Sequence, residues 1–324
     1  MDWERRCMRL CAGVLTFAVL LRLWAGGVLI PVGQALQSSP AASFFLYLHT
    51  GRVVRALPEA DEPQPQHQAE IAAEGPRFSA DDLSLVELSN EPGLSPDLES
   101  LLTQPLDLHP AEEAPRVLIL HSHTTESYTQ TADRYTESSP YRTLDPGHNM
   151  IALGNIVADI LTEAGIGVIH DTDFHDYPSY NGSYTHAAAS TKAYLEAYPT
   201  IELILDLHRD AADTPTGQMA TQCTIGGEKA AQLMFVLGTD KRLKHPDWEE
   251  NLSLALKLQV LLEKENPGIC RKLSLSQNRY NQHLGKYALL IEIGAAGNTL
   301  EQAKLAAVEL GEAIAQLAQM QNTE

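Results

Sequence analysis

Hydrophobic and polar positions divide the chain into three regions. From Leu10 to Ile30 the residues are apolar almost without a break, with Thr16 and Arg22 the only interruptions outside glycine. From Leu57 to Pro115 the composition turns to Pro, Glu, Asp, Gln and Ser with scattered Leu, and no periodicity lasts long enough to build an element. From Arg116 onward, short aliphatic runs alternate with segments of helical period. Val117–Leu120, Ile166–His170, the run that starts at Ile201, Gln232–Gly238 and Ala288–Ile293 read as strands buried on both faces, the pattern of a parallel sheet. Asn149–Ala164, closed by Gly165, reads as a helix, as do Thr185–Glu196, Trp248–Glu265 and Thr299–Leu317. The alternation predicts an α/β fold, a mostly parallel sheet flanked by helices. A segment of about 200 residues suits one such domain and is short for an eight-fold barrel.

The predicted organisation has three parts: residues 1–37 as a cytoplasmic stub and transmembrane anchor, 38–115 as a disordered acidic and Pro-rich linker, and 116–324 as the folded domain. Arg5, Arg6 and Arg9 precede the apolar run, which is long enough to span a bilayer. Basic flanks stay in the cytoplasm, so the remainder lies outside the cell on a single-pass protein. A cleaved signal peptide ending near Gly33-Gln34-Ala35 is the rival reading, and the length of the apolar run favours the anchor. The linker composition cannot bury enough apolar surface to order itself, and Leu83 to Leu88 reads as an exposed motif within it.

Charge narrows the partners. The formal net charge is −19, with no basic stripe, which argues against nucleic acid. Of four cysteines, Cys7 and Cys11 edge the apolar run, and Cys223 and Cys270 read as two free buried thiols.

Candidate chemistry gathers where strands end, the usual place for reactive groups in open α/β sheets. The first strand runs into His121-Ser122-His123-Thr124-Thr125-Glu126, the third into Asp206-Leu207-His208-Arg209-Asp210, and the last carries Glu292 within Leu289-Leu290-Ile291-Glu292-Ile293-Gly294. A catalytic zinc site takes three His or carboxylate ligands and keeps one position open. His123 and His208 are the leading ligands. Asp145 and Glu126 compete for the third place, and His121 is not excluded. Burying Glu292 in an apolar run is costly without a purpose, and such a carboxylate has a raised pKa suited to moving protons. Arg209 and Asp210 would position substrate or support His208. No Gly-x-Ser-x-Gly elbow, phosphate-binding Gly-rich loop or His-Glu-x-x-His motif is present.

The blocks His121-Ser122-His123-Thr124-Thr125-Glu126-Ser127-Tyr128, Asp206-Leu207-His208-Arg209-Asp210-Ala211, Arg279-Tyr280-Asn281-Gln282 and Leu289 to Gly294 resemble, in order, those of the stage II sporulation protein P family. The resemblance spans roughly Arg116 to Leu317. It implies a zinc-amidase-like, phosphorylase/hydrolase-like catalytic domain acting on peptidoglycan during engulfment in sporulation. The implied reaction cuts the amide between N-acetylmuramic acid and L-alanine, with peptide cross-links as a further target. It also implies stage II sporulation proteins D and M as partners, the engulfing septum as location, His123 and His208 as zinc ligands and Glu292 as the catalytic carboxylate. The helix-preceding carboxylate of the amidase class falls near Asp145, with Glu126 as the fallback. Two other readings remain: a different metal amidohydrolase, and an inactive wall-binding or complex-assembly module.

Overall fold

The computed structural model describes residues 78–108, 114–215 and 217–321. The predicted anchor and the linker up to residue 77 lie outside them. No helix among the described residues is long and apolar enough to cross a membrane.

Seven strands form one open sheet. They are β1 (Leu88–Asn90), β2 (Pro115–Leu120), β3 (Gly167–His170), β4 (Leu203–Asp210), β9 (Leu233–Gly238), β10 (Leu273–Ser276) and β11 (Tyr287–Ala295). Two small hairpins, β5 (Asp213–Thr214) with β6 (Gly217–Gln218) and β7 (Gln222–Ile225) with β8 (Glu228–Ala231), lie outside the sheet. The helices are α1 (Leu98–Thr103), α2 (Met150–Glu163), α3 (Ser183–Ala197), α4 (Trp248–Glu265) and α5 (Leu300–Gln321). The order across the sheet is β1-β10-β9-β11-β4-β2-β3, and every pairing is parallel except β9 with β11. The predicted α/β class with a mostly parallel sheet flanked by helices therefore holds, and the sheet is open, not closed into a barrel.

Strand alternation sorts the core into two layers, because successive side chains point to opposite faces. Val117, Ile119, Leu289 and Ile291 join the larger cluster with Leu153 and Val157 of α2, Leu254 and Leu258 of α4, and Leu310 of α5. Leu118, Leu120, Ile204 and Ala288 face the other way, toward Ala187 of α3. Fully burying one such aliphatic side chain contributes about 1.5–3 kcal/mol, so the double-sided runs hold the central strands firmly.

Ordered structure begins earlier than Arg116. A 3-10 turn at Ala80–Leu85, β1 and α1 cover the β10 edge and α4, with Leu101 and Leu102 buried. Leu83, Leu85 and Leu88, read from sequence as exposed, are partly buried against the larger core. The segment is too short for its period to show, and its apolar residues are used by distant partners. Lys257 of α4 is part of this junction. It is buried, and its Nζ donates to Leu101 O at 2.8 Å and Ser253 Oγ at 3.1 Å, while Ser253 Oγ also donates to Leu101 O at 2.6 Å.

Burial lowers the Lys257 pKa to about 8. The folded state releases this proton before the unfolded chain does, so stability contributed by Lys257 is least below pH 8 and rises between about pH 8 and the unfolded value near 10.4. The Lys257→Met protein is expected to be at least as stable as wild type at pH 7, because Ser253 still satisfies the Leu101 carbonyl, and to lose the alkaline rise. Urea midpoints at pH 7 and 9.5 check this, and a clear destabilisation at pH 7 would count against it.

Candidate functional site

Three of the parallel strands deliver their polar residues to one end of the sheet. In β4 and β11, Glu292 is in register with His208; in β2 and β4, Leu120 is in register with Asp206. β11 breaks register between Glu292 and Ala295, where Gly294 has φ +69°. A Cβ at Gly294 would approach Ala231 Cβ to 2.8 Å and Asn298 Oδ1 to 2.9 Å, so the bulge that closes the strand just past Glu292 requires glycine.

His208 is buried among carboxylates. Its Nδ1 is 3.6 Å from Glu126 Oε2, and its Nε2 is 2.8 Å from Asp206 Oδ1. The second contact is close but off the line of a good hydrogen bond, and Nε2 has no aligned partner. Asp206 is anchored by Ser122, which donates N–H to Oδ1 at 2.8 Å and Oγ–H to Oδ2 at 2.6 Å. Burial opposes charge on His208, yet Asp206, Glu126 and Glu292 together raise its pKa to about 9. Such a pocket of carboxylates calls for a cation.

His123 stands at right angles to His208, with ring centres 5.3 Å apart and an interplanar angle of 89°. Its Nδ1 is buried without a hydrogen-bond partner. Burial first, then the nearby His208 and Arg142, lower its pKa to about 4, so the ring is neutral and has a lone pair to offer. Glu292 is only partly enclosed as a residue, but its Oε2 is buried and also lacks a partner. Burial raises its pKa to about 8, and Glu126 and Asp210 add to the shift while His208 opposes it.

Two sequence candidates are held elsewhere. His121 points into the core, with Nδ1 3.1 Å from Leu207 O and Nε2 2.8 Å from His170 Nε2. Both of its ring nitrogens are thus engaged inside the core. Gly154 makes room for this pair; a Cβ there would strike both rings. Asp145 is turned to Gly147 N at 2.9 Å and His148 Nδ1 at 2.8 Å. It makes no ion pair with His123 or His208, whereas Glu126 lies against His208.

Arg209 is buried as a brace. It donates Nε–H to Ser127 O at 2.9 Å, Nη2–H to Tyr141 O at 3.0 Å and its backbone N–H to Glu126 Oε2 at 3.2 Å. Asp210 pairs with Arg271 at 2.7 Å. Arg142, absent from the sequence reading, reaches Glu126 at 3.3 Å and Asp176 at 2.6 Å. Nothing in the local sequence marks it, because the 121–149 loop has to fold back before Arg142 meets Glu126. Asp206 did have a signal: it lies two residues before His208, on the same strand face. Cys223 and Cys270 are free, though partly rather than fully buried.

Among the described residues, no three His, Cys, Asp or Glu side chains already stand at metal-holding distances. The donor set nevertheless fits a cation. Tetrahedral ligands about 2.0–2.1 Å from one ion lie roughly 3.3 Å from each other, and two imidazoles on it have centres about 5 Å apart. The 3.6 Å Glu126–His208 and 5.3 Å His123–His208 separations come close to both.

A family model described as Stage II sporulation protein P matches residues 56–315. Stage II sporulation protein P of Bacillus subtilis (strain 168) is 32% identical over 202 residues, which cover 59% of this chain and 48% of that protein. The chain thus spans about half the length of this curated relative. Structural matches include the N-acetylmuramoyl-L-alanine amidase AmiC2 of Nostoc punctiforme, with TM-score 0.38 and 11% identity over 64% of this chain and 97% of that one. They also include the N-acetylmuramoyl-L-alanine amidase from Clostridium difficile 630, with TM-score 0.38 and 16% identity over 64% and 96%.

Proposed function

The chain belongs to the stage II sporulation protein P family, and on that premise we propose that it is a zinc-dependent N-acetylmuramoyl-L-alanine amidase acting on peptidoglycan. One observation carries the reading: His123, His208, Glu126 and Glu292 meet at one end of the sheet, and His123 Nδ1 and Glu292 Oε2 are buried without partners. Leaving such atoms unsatisfied is costly unless something binds there.

In this proposal His123, His208 and Glu126 hold the zinc, with Glu126 taking the place considered for Asp145. Bound zinc supplies Lewis acidity to the scissile carbonyl and to water. Glu292 takes a proton from the attacking water and returns it to the leaving nitrogen of L-alanine, for which a pKa near the working pH is suitable. The amide C–N bond breaks, leaving a lactyl carboxylate on the glycan and a free amine on the peptide. Asp206, held by Ser122, steadies His208, and Arg209 and Arg142 fix Glu126.

Purified peptidoglycan incubated with the protein and zinc should release stem peptides beginning with L-alanine, identified by mass. Release of peptides cut only at cross-links would replace amidase with endopeptidase activity. No release would favour the assembly-module reading.

The domain is proposed to sit outside the cell on an anchor at residues 1–37, at the engulfing septum, with stage II sporulation proteins D and M as partners; the basic-then-apolar N-terminus supports the anchor. Protease added to protoplasts should then remove the domain and leave a short membrane-bound fragment. A soluble mature form beginning near Ser38 would instead indicate a cleaved signal.

A further inference from the structure

Tyr180 lies about half exposed on the 171–182 loop, yet it is tightly engaged on its inner side. Its ring stacks on His123 with centres 4.6 Å apart and an interplanar angle of 9°, and its Oη is 3.3 Å from His123 Nε2. The Arg142 guanidinium carbon lies 4.8 Å from the centre of the Tyr180 ring. Arg142 in turn pairs with Glu126, which lies against His208, and His208 faces His123. The contacts form a closed circuit: His123, Tyr180, Arg142, Glu126, His208 and back to His123.

The loop that carries Tyr180 is itself anchored. Asp176 accepts from Thr125 N at 3.1 Å and Thr125 Oγ1 at 2.6 Å, and from Arg142 at 2.6 Å. At the start of the loop, Asp171 accepts from Ser190 Oγ at 2.5 Å and pairs with His175 at 3.1 Å. Tyr180 therefore meets His123 from a fixed base and is not a free loop tip.

We propose that Tyr180 is a positioning residue for the metal ligand His123. The proposal rests on the zinc reading above and adds a residue that reading does not include. The stack fixes the plane of the imidazole. The phenol oxygen, 3.3 Å from Nε2, lies over the ring and not in its plane, so the orienting contact is the ring face itself, which holds Nδ1, the buried atom with no partner, in place. Removing an outer partner that orients a ligating histidine typically changes metal affinity 10–100-fold. Phe keeps the ring and Ala removes it, so substitution separates the stack from the hydroxyl.

The test is zinc affinity, measured on the purified full chain by competition with a chromophoric chelator. Tyr180→Ala is expected to weaken zinc binding at least 10-fold, with Tyr180→Phe, which keeps the stack, recovering most of the loss. Tyr177→Ala is the control: Tyr177 sits on the same loop at comparable exposure, 49% against 55%, and takes no part in the ring stack or the Oη–Nε2 contact at His123. Its affinity should match wild type, so a general loosening of the loop would move both variants and overturn the proposal. Tyr180→Ala binding zinc within about twofold of wild type, far short of the 10-fold effect, would also overturn it. Wild-type protein that binds no zinc would overturn the zinc reading together with this one, which keeps the two failures distinct. Because Tyr180 is half exposed, its replacement is expected to leave the fold intact, and matching thermal melts of the metal-free proteins would verify that.

Discussion

The Glu292→Gln protein is expected to keep its zinc and bind peptidoglycan, yet turn it over about 10²–10⁴ times more slowly, the usual contribution of a positioned general base. Glutamine keeps the volume and hydrogen-bonding reach of the side chain and removes its capacity to carry a proton. Because Glu292 Oε2 makes no hydrogen bond, the substitution strands no existing partner, and the fold should be unaffected. Single-turnover digestion of purified peptidoglycan, with zinc measured on the same sample, separates the outcomes. Near-normal turnover would falsify the proton-transfer role, and lost zinc would move Glu292 among the metal ligands. Unfolding would instead mark a structural carboxylate.

His208→Ala is expected to have the larger effect on metal: most of the zinc released and amide cleavage abolished. The fold should survive, because the carboxylates around His208 keep other partners, Asp206 on Ser122 and Glu126 on Arg142 and Arg209. His123→Ala should behave alike. Glu126→Gln and Asp145→Ala then form a decisive pair, since the reading predicts zinc loss only in the first. Glutamine is chosen at 126 so that two arginines are not left beside an empty space. Stoichiometric zinc in His208→Ala would reject the site outright, and zinc loss in Asp145→Ala with retention in Glu126→Gln would restore the helix-preceding carboxylate.

Much of the framework was readable from local pattern. The helix expected at Trp248–Glu265 is α4 residue for residue, and that expected at Asn149–Ala164 is α2 within one residue at each end. The aliphatic runs ending in His121, in His208 and around Glu292 are β2, β4 and β11. What escaped was structure that exists only through distant partners. β1 is three residues long and is a strand because β10 lies beside it. α1 holds its place through Leu101 and Leu102, and through the Leu101 carbonyl, which accepts from Ser253 and Lys257.

The sequence by itself determined the central strands β2, β4 and β11 and the long helices, and that His123 follows β2 while His208 and Glu292 lie toward the carboxyl ends of β4 and β11, because burial on both faces and helical period are properties of neighbouring residues. Only the tertiary structure decided which polar groups meet. His121 and His123 share a strand parity, yet one is locked in the core by His170 and Leu207 while the other faces His208. From the residues alone Asp145 and Glu126 competed for the third ligand place, and the family resemblance put Asp145 first with Glu126 as the fallback. The fold of the 121–149 loop, held by Arg142 and Arg209, brings Glu126 to His208 and leaves Asp145 with His148. Hydrogen bonds and ion pairs act over a few ångströms in space whatever the separation along the chain, so the choice among equivalent side chains belongs to the fold.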